Sequence, residues 1–281
     1  MARRGAAADA AAVEALAGLL LDALEAGRQV PPLTAERPAL SMAEAYAVQG
    51  RILARRAAHG ETVVGWKIGF TNRLIWPEYG VDAPIWGPVY DSTLVAAGSP
   101  AAPAELPLGL MPEPRIEPEL VLRLARTPAP GMDEAALLAC VDAVALGFEV
   151  VQSVFPGWRF AAADTAAAFA LHGRLAPGHL LPLAEGPAGA WRDRLTRFTV
   201  GLARDGETVA EGRAENVLGG PLAALAHLVA GFDPAPFARG LEAGDLISTG
   251  TLTPAFPVAP GETWTVRADG LPLAPIGVRL A

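Results

Sequence analysis

The chain has 281 residues, of which 52% are hydrophobic, and a formal net charge of -8. This size and hydrophobicity allow a large buried core and exclude a disordered protein. No apolar run approaches the roughly 20 residues of a membrane-spanning helix, and the negative charge argues against nucleic acid or an anionic membrane as a partner. The single cysteine, Cys140, cannot form an internal disulfide. We therefore expect a cytoplasmic protein that acts on small molecules.

The first quarter of the chain has a helical pattern. Apolar residues recur at helical spacing over residues 10–26, and acidic residues there interrupt any signal-peptide core. A second helix is expected to begin after Ser41, whose side chain can cap it together with Glu44. Residues 1–60 are therefore expected to form an N-terminal helical segment, and residues 61–281 a β-rich domain.

From residue 62 onward, short β-like runs are separated by glycine and proline. The predicted strands are residues 63–68, 116–124, 146–151, 197–203, 208–215, 246–249 and 263–268. The predicted hairpin turns are Asp205-Gly206 and Asp269-Gly270. The predicted helices in this part are residues 133–141, capped by Asp133, and residues 221–229. The order is neither a βαβ alternation nor a repeat, so the predicted class is α+β with mixed sheets.

Two glutamates occupy alternate positions of one predicted strand, in the motif Arg115-Ile116-Glu117-Pro118-Glu119. Alternation places Glu117 and Glu119 on one face and the apolar residues on the other. Glu149 stands alone in an apolar run, where an unpaired buried carboxylate would cost roughly several kcal/mol. Three such groups predict a site for Mg²⁺ or Mn²⁺, although Glu-x-Glu alone is also typical of a solvated strand face. Pro118 lacks an N–H and predicts an edge or a bulge there.

Other polar groups could serve such a site. Lys67 lies in a short strand flanked by glycines, where its ammonium could admit an anionic substrate or could simply extend to solvent. Asp82 lies in the loop Gly80-Val81-Asp82-Ala83-Pro84, where it could act as a general base or only cap a turn. The hydroxyl-rich residues 246–253 could bind a carboxylate, and ordinary turn chemistry explains them nearly as well.

Several collinear segments resemble the hydratase and decarboxylase family of 2-keto-4-pentenoate hydratase and 4-oxalocrotonate decarboxylase, within the fumarylacetoacetate hydrolase superfamily. The matching segments are residues 65–69, 80–84, 115–119, 148–151 and 241–253. The resemblance implies a β-rich, mixed-sheet catalytic domain behind the helical segment. It implies Mg²⁺ or Mn²⁺ held by Glu117, Glu119 and Glu149. It also implies that Lys67 and Asp82 transfer protons near the reacting carbons.

The resemblance implies a lyase that acts on a small 2-oxo or 2-hydroxydienoic acid in the catabolism of aromatic compounds. The apolar content predicts a homo-oligomer. A hydratase would ketonise the dienol and add water, whereas a decarboxylase would lose carbon dioxide through the same metal-stabilised enolate. C–C bond hydrolysis ranks lower because no His-Glu dyad is evident in the sequence. A catalytically silent subunit paired with an active paralogue is the non-enzyme alternative.

The departures from the family pattern concern the residues expected around the substrate. They remove charge or add apolar bulk, and they are Gln152, Val154, Ala168, Phe169 and His172. An apolar or aromatic 2-oxo acid is therefore one possible substrate. The residues expected to bind substrate are Thr251, Leu252, Trp158 and Phe169.

Overall fold

The computed structural model describes residues 2–185 and 190–281. Its helices, in chain order, are α1 (Ala2–Glu25), α2 (Leu33–Glu36), α3 (Met42–Ala58), α4 (Trp76–Tyr79), α5 (Glu134–Leu138), α6 (Ala162–Ala167), α7 (Trp191–Arg197) and α8 (Pro221–Gly231). None of the helices in the described ranges is long and apolar enough to cross a membrane.

The strands, in chain order, are β1 (Val63–Gly69), β2 (Ile85–Tyr90), β3 (Ala104–Leu106), β4 (Arg115–Leu124), β5 (Val141–Val151), β6 (His172–Pro177), β7 (Leu181–Pro182), β8 (Thr199–Arg204), β9 (Glu207–Arg213), β10 (Leu246–Ser248), β11 (Phe256–Pro257), β12 (Thr263–Asp269) and β13 (Ile276–Leu280). An eight-stranded sheet has the order β2-β1-β10-β4-β5-β6, with β11 beside β4 and β7 beside β5. A five-stranded sheet has the order β3-β13-β12-β8-β9. Both sheets contain parallel and antiparallel pairs, which confirms the predicted α+β class.

The N-terminal helices pack against the β-rich part of the chain. Ser41 and Glu44 form the predicted capping box of α3, because each side chain accepts a hydrogen bond from the other residue's backbone N–H. From α3, the buried Gln49 amide donates to the carbonyls of Trp86 (3.1 Å) and Ala166 (2.7 Å). The predicted boundary at residue 60 lies between α3 and β1, and the division into two units stays a prediction.

The main core lies between the two sheets. The apolar face of β4 contributes Leu120 and Leu122, which cluster with Phe148 of β5 and with Trp264 and Val278 of the second sheet. Burial of this face leaves the opposite face of β4 to carry the two glutamates, as the alternation predicted.

Strand β4 lies inside its sheet, so the predicted edge position is wrong for the strand as a whole. On one side it pairs with β5 along its length, and on the other it pairs first with β11 and then with β10. Pro118 falls in the gap between those two partners, where its carbonyl accepts from Leu252 N–H (3.0 Å). Because N–H and C=O of one strand residue point to the same side, the missing donor faces this gap.

One of the two predicted turns is confirmed, whereas the other turn and one strand depart from the sequence prediction. Asp205-Gly206 joins β8 to β9 with positive φ at both residues (50° and 87°), as predicted. Asp269-Gly270 does not form a tight hairpin, because β13 begins only at Ile276. Strand β2 was not predicted, since Gly87 and Pro88 interrupt its apolar run. Gly87 is required there because a Cβ would lie 2.4 Å from the Phe169 carbonyl oxygen.

Candidate active site

The three predicted glutamates converge at one point on the eight-stranded sheet. Glu117 of β4 is directly opposite Glu149 of β5 in the ladder, and Glu119 follows on the same face. One carboxylate oxygen of each lies within 4.8 Å of the other two. Glu119 and Glu149 are buried, and Glu117 is half-buried. The sequence pattern therefore located a real cluster of carboxylates.

The two oxygens of Glu119 have different surroundings. Oε2 accepts hydrogen bonds from the Ser248 hydroxyl (2.5 Å) and from Gly250 N–H (2.9 Å). Oε1 is buried and accepts no hydrogen bond from the described residues. Gly250 has a φ of 101°, and a Cβ there would lie 1.8 Å from Thr71 Oγ1, so only glycine fits. A buried carboxylate oxygen without a donor is a suitable ligand for a hard divalent cation.

Lys67 of β1 lies beside the cluster and is buried. Its Nζ is 3.1 Å from Glu149 Oε2 and donates to the Ala170 carbonyl (3.0 Å). That carbonyl is directed at Lys67 by three consecutive non-glycine residues, Phe169, Ala170 and Leu171, with φ of 52°, 51° and 63°. A left-handed run of this kind is costly for residues with a Cβ, and nothing in the sequence signals it.

Burial and charge shift the pKa values of the cluster in different directions. Burial raises the pKa of Glu117 to about 7. Burial, with the charges of Glu149 and Glu117, raises the pKa of Glu119 well above its ordinary value. For Glu149 burial acts in the same direction, but Lys67 and His172 outweigh it and lower its pKa. Burial alone would lower the pKa of Lys67, and the three carboxylates raise it instead. The carboxylates thus exceed the positive charge beside them, which fits an added cation.

The cluster borders an open cavity, which Glu117 helps to line. Its polar lining includes Lys67, Glu117, Arg115 and Thr251. Its apolar and aromatic lining residues are Phe70, Ile75, Tyr79, Ile85, Val151, Trp158, Phe160 and Leu171. Tyr79 stacks on Phe160 with ring centroids 5.3 Å apart, and the Arg115 guanidinium lies 4.2 Å over the Trp158 ring. The cavity could therefore hold a small acid whose carboxylate binds near Lys67 and Arg115 and whose carbon chain contacts the apolar residues.

Only some of the predicted substrate-binding and acid-base residues line the cavity. Thr251 and Trp158 line the cavity together with Lys67. Leu252 is buried in the main core, and Phe169 packs with the N-terminal helices, so neither lines the cavity. Asp82 is exposed on its loop and is also absent from the lining. The catalytic role of Asp82 therefore stays a prediction without a contact to support it.

Sequence reasoning missed several cavity residues. The aromatic wall comes from loop and short-helix positions, such as Phe70 and Phe160, that no periodicity connects. In the hydroxyl-rich residues 246–253, Ser248 donates a hydrogen bond to Glu119, and Thr251 lines the cavity. Arg115 was part of the recognised motif and carried a usable signal, because it precedes Glu117 by two residues on the same strand face.

A His-Glu pair does exist in space, although none was evident in the sequence. His172 Nδ1 lies 2.8 Å from Glu149 Oε1, and the residues are 23 positions apart in the chain. The other ring nitrogen lies 2.9 Å from Thr93 Oγ1, and His172 does not line the cavity described above. The pair is therefore not placed to activate water in that cavity, and C–C hydrolysis remains the least favoured reaction.

Comparisons with known proteins give consistent results. Residues 88–277 match the family described as fumarylacetoacetate (FAA) hydrolase, C-terminal. The 2-keto-4-pentenoate hydratase of Paraburkholderia xenovorans (strain LB400) is 31% identical over 261 residues, which cover 92% of this chain and 91% of that relative. The 4-oxalocrotonate decarboxylase of Pseudomonas sp. (strain CF600) is 33% identical over 248 residues, which cover 86% and 87%.

A solved structure of 4-oxalocrotonate decarboxylase from Pseudomonas putida G7, complexed with magnesium and adipate, has a TM-score of 0.85 to this chain. It is 30% identical, and the match covers 96% of this chain and 97% of that one. These matches agree with the glutamate cluster and the mixed-sheet fold, and the chain belongs to the fumarylacetoacetate hydrolase family.

Proposed function

We propose that this protein is a divalent-metal-dependent lyase that adds water to a 2-hydroxydienoate of the 2-keto-4-pentenoate type. The observation that carries this proposal is the convergence of three carboxylates, with Lys67 beside them, at the edge of a small-molecule cavity. A relative named as a hydratase of this class aligns over nine-tenths of the chain and supports it.

Glu117, Glu119 and Glu149 would hold Mg²⁺ or Mn²⁺, because oxygen-only ligands suit hard cations. When bound, such an ion supplies Lewis-acid polarisation of a substrate carbonyl or enol oxygen. Lys67 is charged at neutral pH because its pKa is raised, so it can bind substrate anion and donate a proton. We retain Asp82 as a proposed partner in proton transfer, to be tested by mutation.

The charge of the cavity favours a substrate with one carboxylate. With a divalent cation, the three glutamates, Lys67 and Arg115 give the site a net charge of about +1. A monoanion neutralises that charge, whereas a dianion leaves an excess negative charge beside a wall of apolar and aromatic side chains. This balance favours hydration of a monocarboxylic dienol over decarboxylation of a dicarboxylate.

Decarboxylation of a 4-oxalocrotonate-like acid is the second candidate function. The position of Arg115 in the cavity favours it. Its guanidinium lines the cavity and forms no ion pair with any described residue within 4.0 Å. It could therefore bind the second carboxylate of such a substrate. The solved relative with a TM-score of 0.85 carries the decarboxylase name.

Product analysis distinguishes these reactions. The purified protein, with Mg²⁺, is incubated separately with 2-hydroxypenta-2,4-dienoate and with 4-oxalocrotonate, and the products are measured by mass spectrometry. We expect a water adduct of the dienoate and no release of carbon dioxide from the dicarboxylate. Carbon dioxide release alone would establish the decarboxylase instead. No turnover of either compound or of a panel of 2-oxo acids would contradict both and favour the silent subunit.

The setting of this activity is also proposed. We propose that it serves the catabolism of aromatic compounds, in keeping with the small unsaturated acids 2-keto-4-pentenoate and 2-hydroxyhexa-2,4-dienoate named for the curated relatives. We also propose a cytoplasmic homo-oligomer, as expected from the composition. Light scattering of the purified protein tests its assembly. A catalytically silent subunit is disfavoured because an idle site has no need of three convergent carboxylates, one of which has a buried oxygen with no donor among the described residues.

A further inference from the structure

His172 occupies a buried position behind the carboxylate cluster. It is the first residue of β6 and pairs with Val151 of β5, two residues beyond Glu149. Only 4% of its surface is exposed. Its side chain therefore reaches Glu149 across two adjacent strands and has no access to bulk water from the catalytic cavity.

The imidazole is held at both nitrogens. A carboxylate oxygen only accepts hydrogen bonds, so the 2.8 Å contact with Glu149 Oε1 requires a proton on Nδ1. At Nε2 the partner is Thr93 Oγ1, 2.9 Å away. Thr93 is itself fixed, because its hydroxyl oxygen accepts from Tyr90 N–H (3.1 Å) and lies 2.9 Å from Tyr90 O. The plane of the ring is thus set by the backbone of the turn after β2.

This arrangement determines the orientation of the Glu149 carboxylate. With Oε1 on His172 and Oε2 at 3.1 Å from Lys67 Nζ, rotation of the carboxylate would break two contacts at once. Each oxygen still has a lone pair free, and one oxygen lies within 4.8 Å of oxygens on Glu117 and Glu119.

His172 cannot act on a substrate directly from this position. It lines a different cavity, together with Thr93, Gln152 and Arg174. It is absent from the lining of the catalytic cavity. Any influence on the reaction must therefore pass through Glu149.

We propose that His172, anchored by Thr93, is a positioning residue that orients Glu149 for binding of the divalent cation. The inference rests on the proposed metal-dependent function, since it assigns a role toward that cation. Hydrogen-bond partners of metal ligands fix ligand orientation, and their loss typically costs about 10–100-fold in metal affinity. The same loss is expected for this protein when the hydrogen bond to Glu149 is removed.

Direct Mn²⁺ titration followed by electron paramagnetic resonance, without substrate, tests the proposal. His172→Leu fills a similar volume without a donor, and His172→Asn places an amide N–H near the position of Nδ1. Thr93→Val preserves shape and removes the anchor. His179→Asn is the matched control, because His179 is absent from the linings of both cavities. Circular dichroism and melting curves establish that each variant folds.

The expected result is a 10–100-fold weaker Mn²⁺ affinity for His172→Leu, with His172→Asn within about threefold of the unmodified protein. Thr93→Val should weaken binding by an intermediate factor, which keeps the test valid if His172→Leu fails to fold. Unchanged affinity in the folded His172→Leu or Thr93→Val variant would overturn the proposal. Equal losses in His172→Asn and His172→Leu would overturn it too. Absence of Mn²⁺ binding by the unmodified protein would instead refute the proposed metal-dependent function.

Discussion

Glu119 has one oxygen that is held by two hydrogen bonds and one that accepts none from the described residues, and this asymmetry makes it the most informative position to mutate. Ser248 and Gly250 hold Oε2, which also restricts the position of Oε1, and one oxygen of Glu119 lies within 4.8 Å of oxygens of the other two carboxylates. The fixed geometry means that a cation would meet a preformed ligand rather than a mobile side chain.

Glu119→Gln should remove metal binding and activity while the protein remains folded. The amide keeps the shape but removes the charge, and the loss of affinity should exceed the roughly 10–100-fold cost of losing an outer hydrogen-bond partner. Isothermal titration with Mg²⁺ and turnover of the dienoate measure both effects. Glu211→Gln, on an exposed strand position, is the control. Full activity in Glu119→Gln would contradict the assignment of this residue as a ligand.

The raised pKa of Glu117 predicts a pH dependence of stability in the metal-free protein. Its pKa rises from an ordinary value of 4.5 to about 7 in the folded state. Such a group stabilises the fold below pH 4.5, and its contribution is lost as pH rises through about 7. Urea denaturation in a chelator at several pH values should show this decline, and Glu117→Gln should show a shallower one. The same dependence of unfolding free energy on pH in both proteins would refute the raised pKa of Glu117.

At the scale of elements, the parallel pairing of β1 with β10 brings Lys67 and Ser248 to the same side of the site. The register aligns Gly65 with Leu246 and Lys67 with Ser248. Gly65 allows the two strands to approach, because a Cβ there would lie 2.0 Å from the Leu246 carbonyl oxygen. The contact between backbones, not a side-chain preference, therefore determines the position of Lys67.

Gly65→Ala should separate β1 from β10 and destabilise the protein by roughly 3 kcal/mol or more, with a parallel loss of activity. Gly240→Ala is the matched control, since a Cβ at Gly240 meets nothing within 4 Å. That control should change the free energy of unfolding by about 0.5 kcal/mol or less. Urea denaturation measures both values. Equal stability of the two variants would show that the strands can separate without cost.

The elements that were predicted from sequence are those with a strong local pattern. The alternation in β4 and the capping box at Ser41 are local, and both were correctly placed. Strand β2 was missed because Gly87 and Pro88 are poor strand formers that tertiary contacts override. Likewise, the contact of His172 with Glu149 depends on how β5 pairs with β6, and register between distant strands has no local signal.

For the whole molecule, the cation and the fold should stabilise each other. Three carboxylates from two adjacent strands repel in the metal-free protein, and an ion that binds only the folded chain adds stability by mass action. Mn²⁺ at about 100 times its dissociation constant should add about 2.7 kcal/mol. For a chain of this size that corresponds to a Tm increase of roughly 5 °C, measurable by calorimetry.

A chelator should reverse this increase, and Glu119→Gln should show almost none of it. The variant thereby separates binding at the cluster from general effects of divalent salt. If Mn²⁺ does not change the Tm of the unmodified protein, then cation binding at the cluster is not coupled to folding.

The polar and the aromatic lining residues of the cavity have different structural origins, which bears on how substrate range could evolve. Lys67 and Glu117 stand on strands of the eight-stranded sheet, whereas the aromatic residues Phe70, Tyr79, Trp158 and Phe160 lie outside the strands. Loop and short-helix positions accept replacement at less cost than strand positions held in a ladder. A library randomised at those four aromatic residues should therefore yield variants that prefer other substrate acids and still catalyse the same reaction. Substrate range could thus be engineered separately from the chemistry.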